Sequence, residues 1–477
     1  MNRPVTVPLA IPLDPVPDVE EALARFVDER GVLLFDSARR GDPRGRYSFL
    51  MSDPFAWHVE PGDGLGTGFL ERVAGDWRDL QPGGNSPWDL DFPPFVGGAA
   101  GYLGYEFGRA FERVPVAPRD EFAMPLAAIG LYDRVIAWDH ARDRAWLVSQ
   151  GWPESDPVRR ARRARDRADA ALARLSLPTP SPRPRDTSRD LTANSVFGVD
   201  TGRAPGLRSD FAEAQYLAAV ARAVEYIHAG DIFQVNLAQR LVAPWPGSPF
   251  DLYRRLRRRN PAPFAGYFAD EDWAILSASP ERFLEVRGGE VSTRPIKGTR
   301  LRGASPEADL FTRDELRESE KDRAENVMIV DLLRNDLSRV CEPGSVRVPQ
   351  LCAVETYETV QHLVSEVRGR LRAGNTAWDL LGATFPGGSI TGAPKIRSME
   401  IVAELEPTVR GPYCGAMFYH GVDGSFDSNI LIRTFTHRRG WVQCPVGGGI
   451  VAQSRPEAEY RETWHKAEGM LRALFGG

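Results

Sequence analysis

The sequence of 477 residues has few residues of the types that bind transition metals, and their spacing argues against such a site. It contains four cysteines, Cys341, Cys352, Cys414 and Cys444, and seven histidines. No Cys-x-x-Cys or His-x-x-x-His pair occurs, although zinc sites and redox motifs depend on such close pairs. We therefore expect a reduced, cytoplasmic protein without a zinc or disulfide centre.

The sequence also lacks long apolar runs and an excess of positive charge. No stretch of about 18 apolar residues is present, so no membrane-spanning helix is predicted. Residues 1–17 have too many prolines and too short an apolar stretch for a secretory signal. The net charge of -5 argues against nucleic acid as the main partner. We expect no membrane and no nucleic acid among the partners.

Composition divides the chain into three regions. Residues 1–155 contain short strand-like runs such as GVLLFDSA and IGLYDRVIAW. Residues 156–207 combine an arginine-rich predicted helix over 158–175 with a linker rich in proline and serine. The helix is interpreted as solvated or as nucleic-acid binding, and the absence of base-stacking aromatic residues favours the first. Residues 208–477 form a more continuous unit.

Helical and strand-like patterns alternate irregularly in this third region. A capping box at Asp210 and Glu213 predicts a helix that ends at Gly230, and further helices are predicted over 319–340 and 455–475. The runs EDWAILSASPERFLEV, NILIRTFTH and GWVQCPVGGGIV predict strands. Because no regular βαβ alternation appears, we predict an α+β fold with large antiparallel sheets.

The heptapeptide RPIKGTR places Lys297 between an apolar residue and a glycine, at a predicted buried strand. Burial disfavours the ammonium form and lowers a lysine pKa from about 10.4. A lysine whose pKa is lowered toward neutrality is a nucleophile. The alternative is a lysine that reaches solvent or pairs with a carboxylate.

Two predicted helices each carry acidic residues three positions apart, so that both carboxylates share one face. These are Asp322 with Glu325 and Glu459 with Glu462. Carboxylates without histidine or cysteine suit a hard cation such as Mg2+. The alternatives are a helix cap at Ser319 and an ion pair of Glu462 with Lys466.

Three further features concern anion binding. The segment PGGSITGAPK lacks the Gly-Lys-Ser/Thr ending of a phosphate loop, so a nucleoside triphosphate site is rejected. The run from Gly447 to Gly449 either offers backbone amides to an anion or forms a turn or bulge. Arg433, within ILIRTF, either binds a carboxylate or forms a structural ion pair. Together with Lys297 and the paired acids, these parts fit a small substrate with several carboxylates.

The segment from about 210 to 475 resembles the chorismate-utilising enzymes. The matching strings are SPERFL, RPIKGTR, DRAENVMIVDLLRNDL, QHLVSEV, FPGGSITGAPK, GGGIV and EAEYRETWHKA, together with residues 413–434. The resemblance implies that the large antiparallel sheets pack as a sandwich with helices outside. Anthranilate synthases typically have alanine at the position of Lys297. A lysine there resembles the branch that aminates chorismate at C4 with ammonia to give 4-amino-4-deoxychorismate, toward p-aminobenzoate and folate.

The resemblance also implies roles for individual residues. In such enzymes a lysine at position 297 attacks ring carbon 2, a glutamate at 281 acts as acid and base, and a histidine at 362 lies close to the departing hydroxyl. The implied chorismate contacts are Gly298, Thr299, Tyr413, Arg433, Gly447, Gly448, Gly449 and Lys466. The implied ligands of Mg2+ are Glu325 and Glu462, flanked by Asp322 and Glu459.

Two expectations concern regulation and partners. Ser37, Arg46, Tyr47, Pro263 and Phe264 match a tryptophan pocket of relatives, although Phe35-Asp36-Ser37 departs from the usual Leu-Glu-Ser. The alternative is a simple interface between regions.

No glutamine-hydrolysing module is recognisable, and the chain ends just after the last predicted helix. We therefore expect a separate glutamine amidotransferase subunit to supply ammonia. The alternative activity is anthranilate synthesis, and a third is non-catalytic nucleic-acid binding through the arginine-rich helix.

Overall fold

The computed structural model describes residues 8–39, 41–42, 44–78, 92–179, 190–302, 305–357 and 360–476. Within these residues the strands are β1 (Leu9–Pro12), β2 (Val32–Asp36), β3 (Tyr47–Met51), β4 (Ala56–Glu60), β5 (Gly98–Leu103), β6 (Ala127–Tyr132), β7 (Arg134–Asp139), β8 (Arg144–Ser149), β9 (Val199–Asp200), β10 (Arg208–Ser209), β11 (Gln234–Pro244), β12 (Phe264–Asp270), β13 (Trp273–Ser279), β14 (Arg282–Arg287), β15 (Glu290–Thr293), β16 (Ile296–Leu301), β17 (Arg347–Thr356), β18 (Val360–Arg370), β19 (Gly392–Ala393), β20 (Ala416–Gly421), β21 (Phe426–Asn429), β22 (Thr434–Arg438) and β23 (Trp441–Ile450). The α-helices are α1 (Val19–Phe26), α2 (Phe69–Arg78), α3 (Pro157–Leu175), α4 (Glu213–His228), α5 (Pro249–Arg259), α6 (Pro306–Glu318), α7 (Glu320–Ser338), α8 (Ala377–Thr384), α9 (Gly388–Thr391), α10 (Lys395–Leu405) and α11 (Pro456–Phe475).

The strands form two large antiparallel sheets. One has 13 strands in the order β1-β8-β7-β3-β2-β12-β13-β22-β23-β11-β10-β9, with β19 also paired to β11. The other has 10 strands in the order β16-β18-β15-β14-β21-β20-β5-β6-β4, with β17 also paired to β18. The predicted α+β fold with large antiparallel sheets is confirmed.

The two sheets face each other across an aromatic core. Phe49 and Phe268 from the 13-stranded sheet pack in one cluster with Tyr102 and Tyr419 from the 10-stranded sheet. Helices cover the outer faces: α5 and α11 pack against the 13-stranded sheet, and α7 packs against β18 of the 10-stranded sheet. Burying each sheet on both faces in this way removes apolar surface from water, which is the main stabilising contribution. The predicted sandwich with outer helices is confirmed.

Strands from the first and third sequence regions share both sheets. β2 pairs with β12 in one sheet, and β5 pairs with β20 in the other. The two regions are thus joined by backbone hydrogen bonds. The division into regions 1–155, 156–207 and 208–477 stays a prediction about sequence, and residues 180–189 of its proline-rich linker lie outside the described residues.

One face of the arginine-rich helix α3 is bonded to the first region through its arginines. Arg160 and Arg163 donate hydrogen bonds to the carbonyls of Gln150 and Trp152 at 2.8 and 2.6 Å, and Arg167 pairs with the buried Asp133 at 2.9 Å. The prediction of a solvated helix is confirmed for its outer face only. The arginines on the inner face already form hydrogen bonds and an ion pair within the protein, which weakens the nucleic-acid interpretation.

The structure corrects the predicted start of helix α4. Its first residue is Glu213, and its N-cap is Ala212. The carboxylate of Asp210 instead accepts hydrogen bonds from the backbone N–H of Arg240 and the hydroxyl of Thr408, at 2.8 and 2.7 Å. These buried hydrogen bonds to residues far along the chain replace the local capping hydrogen bond that the sequence predicts for Asp210. The helices predicted over 319–340 and 455–475 are confirmed as α7 and α11.

Candidate functional site

Two neighbouring connections carry the chain from one sheet to the other, and each holds a predicted site residue. Glu281 lies between β13 and β14, and Arg433 lies between β21 and β22. The connections are bonded together: the backbone N–H of Ala278 donates to the carbonyl of Arg433 at 3.0 Å. The backbone N–H of Ile430 donates to the carbonyl of Glu281 at 3.1 Å. Glu281 and Arg433 therefore lie where the chain crosses between the two sheets.

Lys297 lies in a strand, β16, as the sequence predicts, but β16 is a half-buried edge strand of the 10-stranded sheet and not the predicted buried strand. Its ammonium donates a hydrogen bond to the carbonyl of Ser389 at 3.3 Å. Burial lowers the pKa of Lys297 below its ordinary value, although the nearby carboxylates of Glu325 and Glu281 partly oppose this. The side chain points into the interior, and no ion pair to it occurs among the described residues.

The glycine-rich segment that fails as a phosphate loop forms the floor beneath Lys297. Ser389 lies in the short helix α9. Its backbone carbonyl accepts hydrogen bonds from Lys297 and from Asn236 Nδ2, and the second of these measures 2.8 Å. Its hydroxyl donates to Glu281 Oε1 at 3.0 Å. Sequence reasoning missed Ser389 and Asn236, because the glycine-rich segment was tested for phosphate binding and otherwise matched only as a string, and Asn236 lies outside it in β11. Lys395 of the segment pairs with Asp336 at 2.7 Å, in agreement with the rejection of a nucleotide site.

Glu281 is buried beside this floor. Burial raises the pKa of Glu281 above its ordinary value, and this outweighs the opposing effects of Lys297 and of the hydrogen bond from Ser389. A carboxyl group of this kind keeps its proton to higher pH than a solvated one. It can therefore donate a proton to a leaving group and later accept one.

Helices α7 and α11 bring carboxylates close to Gly448 and to Lys321. A methyl group built on Gly448 would lie 3.3 Å from Glu459 Oε2, 3.6 Å from Glu462 Oε1 and 3.5 Å from Lys466 Nζ. Glu325 approaches from α7, and the ammonium of Lys321 lies 3.9 Å from Glu325 Oε1 and 4.0 Å from Glu459 Oε1. Gly448 thus leaves room for charged groups against the strand.

The pKa values of these acids differ. Burial, together with the neighbouring acids, raises the pKa of Glu325 and of Glu459. Burial also acts to raise the pKa of Glu462, but Lys466 at 2.6 Å outweighs it and the net shift is downward. For Glu325 and Glu459, the neighbouring lysines therefore do not offset the effect of burial.

The donor set fits a hard cation in its chemistry, since it consists of carboxylate oxygens. No group of three or more Asp, Glu, His or Cys side chains within the described part of the chain converges as a ready-made metal site. Mg2+ commonly takes only one or two carboxylates and completes its octahedron with water and substrate oxygens. Asp322 is placed differently, because its carboxylate pairs with Arg300 at 3.1 Å.

The glycines of the site allow neighbouring side chains to approach the backbone closely. Gly447, Gly448 and Gly449 lie inside β23, paired with β11, and form neither a turn nor a bulge. Lys466 donates to the carbonyl of Gly447 at 2.8 Å. Gly298 has a φ of +73°, and a side chain there would meet Asp322 and Leu316 within 3 Å. Only glycine fits that position.

Arg433 and Tyr413 border the site on the side of the sheet connections. Burial lowers the pKa of Arg433, with Tyr413 and Glu462 opposing the shift. No carboxylate among the described residues pairs with the guanidinium of Arg433. The residue has a φ of +53°, which is unusual outside glycine and fixes its backbone in a tight connection. An unpaired, half-buried guanidinium suits an anionic ligand.

Thr299 and His362 face each other across β16 and β18. The Thr299 hydroxyl lies 2.9 Å from His362 Nδ1. Burial and the cations Arg44 and Arg39 lower the pKa of His362 to about 4. The imidazole is therefore neutral at physiological pH. It can form hydrogen bonds, but it does not supply the proton of an imidazolium there.

The five residues of the predicted tryptophan pocket lie where the first and third regions meet. The Ser37 hydroxyl donates to the carbonyl of Tyr47 at 2.6 Å, and Arg46 pairs with Asp139 at 2.6 Å. A methyl group on Gly45 would lie 3.2 Å from Ser37 Cβ and 3.4 Å from Pro263 Cα. Phe264 opens β12, which pairs with β2. Tryptophan binding and a plain interface both stay open as predictions.

Comparison with known proteins identifies the family. A model described as chorismate binding enzyme matches residues 70–472. Aminodeoxychorismate synthase component 1 of Klebsiella aerogenes is 44% identical over 381 residues, 80% of this chain and 78% of that protein. Anthranilate synthase component 1 of Streptomyces coelicolor is 42% identical over 453 residues, 94% of this chain and 84% of that protein.

A solved structure extends the comparison to the fold. The crystal structure of anthranilate synthase component I from Streptococcus pneumoniae superposes with a TM-score of 0.75 at 31% identity, covering 91% of this chain and 94% of the other. Among the described residues, no helix combines the length and the apolarity needed to cross a bilayer. Since the family model covers most of the chain, the chain belongs to the family of chorismate binding enzymes.

Proposed function

We propose that the protein aminates chorismate at C4 with ammonia, giving 4-amino-4-deoxychorismate and water. The observation that carries the proposal is the amine of Lys297, which has a lowered pKa and stands beside the buried acid Glu281. The similar proteins divide between aminodeoxychorismate synthase and anthranilate synthase at nearly equal identity. Overall similarity therefore does not choose between the two activities, and the proposal rests on the lysine at position 297.

The first half of the reaction forms a bond to the enzyme. The free amine of Lys297 attacks C2 of the ring, the two conjugated ring double bonds each shift by one position away from C2, and the C4 hydroxyl departs. Hydroxide is a poor leaving group, so the protonated carboxyl of Glu281 donates a proton and water leaves. Covalent capture replaces one difficult displacement by two easier ones.

The second half reverses the bond to the enzyme. Ammonia attacks C4, both ring double bonds shift back, and the amine of Lys297 is expelled from C2. The ionised Glu281 takes up the proton that the incoming ammonia releases, and so returns to its starting state. The Ser389 carbonyl, which accepts hydrogen bonds from Lys297 and Asn236, positions the amine for its attack on C2.

The substrate carries two carboxylates, and the site offers cationic groups on two sides. We assign one carboxylate to Arg433 with Tyr413, because that guanidinium is not paired to any described carboxylate. The second carboxylate faces Lys466 and the β23 glycines. Glu325 and Glu462, with Glu459 beside them, would hold Mg2+, which when bound neutralises the ring carboxylate and orients the ring.

Anthranilate synthesis is the second candidate, and the similarity of the Streptomyces coelicolor protein over 94% of this chain favours it. The purified protein with chorismate, Mg2+ and excess ammonium at alkaline pH separates the two. We expect a product that mass spectrometry identifies as aminodeoxychorismate, with its enolpyruvyl group intact. Anthranilate together with pyruvate would contradict the proposal and assign the chain to the other activity.

We predict that His362 does not set the pH dependence of the reaction. Its pKa of about 4 keeps the ring neutral above pH 5, so no proton is gained or lost at His362 in the working range. In the variant His362→Asn, an amide replaces the imidazole beside Thr299. We expect kcat/KM to keep the shape of its pH profile between about pH 5.5 and 9. Loss of an acidic limb near pH 6 to 7 in the variant would contradict this.

A partner subunit supplies the ammonia in this proposal. The similar proteins are named component 1, which supports a second component that acts with them. We propose a glutamine amidotransferase in that place, with ammonium salts as its substitute in vitro.

A further inference from the structure

The chain contains very few lysines, and most of them gather at one place. Only four of its 60 lysine and arginine residues are lysines: Lys297, Lys321, Lys395 and Lys466. Lys395 is bonded to the buried Asp336. Lys297, Lys321 and Lys466 surround the carboxylates of α7 and α11. The proposed mechanism uses Lys297 and Lys466 but leaves Lys321 without a role.

Lys321 occupies the space between two acids from different helices. Its Nζ is 3.9 Å from Glu325 Oε1 on its own helix α7 and 4.0 Å from Glu459 Oε1 on α11. Half of its side chain, 50%, remains exposed, so a path to solvent is open. Ion pairs this long and this exposed add little to stability. Fold stability therefore does not explain the position of Lys321.

We propose that Lys321 is a built-in counter-cation, which occupies the space between Glu325 and Glu459 in the absence of a divalent cation and withdraws when one binds. The proposal rests on the Mg2+ site of the proposed function. A lysine suits this part because its ammonium is a compact charge on a flexible stem. An arginine, the residue used at nearly every other basic position of the chain, would hold a carboxylate through a rigid planar fork.

The proposal requires that Lys321 weakens cation binding. A divalent ion must displace the ammonium or bind close to it, and like charges a few ångströms apart repel strongly at a partly buried site. Removal of the charge should therefore tighten binding, whereas loss of a ligand should weaken it. This opposite sign separates a counter-cation from a residue that merely supports the fold.

The test measures cation affinity directly, without a turnover assay. Mn2+ replaces Mg2+ as the probe, because the electron paramagnetic resonance signal of the free ion reports the bound fraction, and Mg2+ is then added as a competitor. We expect Lys321→Met to lower the dissociation constant about tenfold, or about 1.4 kcal/mol. Lys321→Arg keeps the charge and should therefore not lower the dissociation constant.

The matched control is Arg323→Met, which removes one positive charge from the same helix at an exposed position. It should change the constant by less than about threefold. An unchanged or higher constant for Lys321→Met, or an equal gain for Arg323→Met, overturns the inference. Glu325→Gln tests the underlying site and should weaken binding. If neither the unmodified protein nor Lys321→Met binds Mn2+ at millimolar concentrations, the cation site of the proposed function fails together with this inference.

Discussion

Replacement of Lys297 by alanine is expected to abolish amination of chorismate, with kcat lower by about 10³-fold or more, or at least about 4 kcal/mol in the barrier. The reason is that the variant has no amine to attack C2, and direct displacement of the hydroxyl by ammonia lacks the covalent route. The measurement is the rate of aminodeoxychorismate formation under saturating chorismate and ammonium. An intact-mass spectrum taken without ammonia should also show a chorismate-derived adduct on the unmodified protein and none on the variant.

Lys297→Arg is the matched control for charge. It keeps a cation at the same place in β16, but arginine does not lose its proton in proteins and so cannot act as the nucleophile. We expect it to be as inactive as the alanine variant while its thermal unfolding stays close to that of the unmodified protein. Full amination by either variant would show that Lys297 is not the nucleophile.

Glu281→Gln is expected to lower kcat by about 10² to 10⁴-fold, because the amide cannot protonate the departing hydroxyl. The affinity for chorismate should change little, since Glu281 is assigned to neither substrate carboxylate and is hydrogen-bonded to Ser389. Burial raises the pKa of Glu281 in the folded protein, so its proton is present at low pH and is lost as pH rises through the raised value. The alkaline limb of kcat in the unmodified protein should therefore be absent from the variant.

Ser389→Ala provides a graded control for the assignment of Glu281. The Ser389 hydroxyl donates to Glu281 Oε1 at 3.0 Å and so favours the ionised carboxylate. Without this hydrogen bond the pKa of Glu281 should rise further, and the alkaline limb should move to higher pH. A Glu281→Gln variant within about tenfold of normal kcat, or an alkaline limb that Ser389→Ala leaves in place, would contradict the role of Glu281.

The local features of this chain were predictable because short-range physical rules govern them. The helices predicted over 319–340 and 455–475 correspond to α7 and α11, and the strand-like runs EDWAILSASPERFLEV and GWVQCPVGGGIV correspond to β13, β14 and β23. The setting of Lys297 between an apolar residue and Gly298 likewise predicts a strand. These patterns depend on neighbours a few residues away. The prediction fails at Asp210, where a contact with Thr408 across 198 residues outweighs local capping.

Tertiary structure alone decided which side chains meet. The sequence by itself determined a lysine in a strand, paired acids on two helices and a family resemblance. The joined sheet connections bring Glu281 beside Ser389, 108 residues away, and the packing of α7 and α11 places Lys321 between Glu325 and Glu459. β11 holds the three glycines of β23 in an extended strand, although their local preference also allows a turn. Pairing between distant strands and helices fixes these contacts, and no local pattern encodes it.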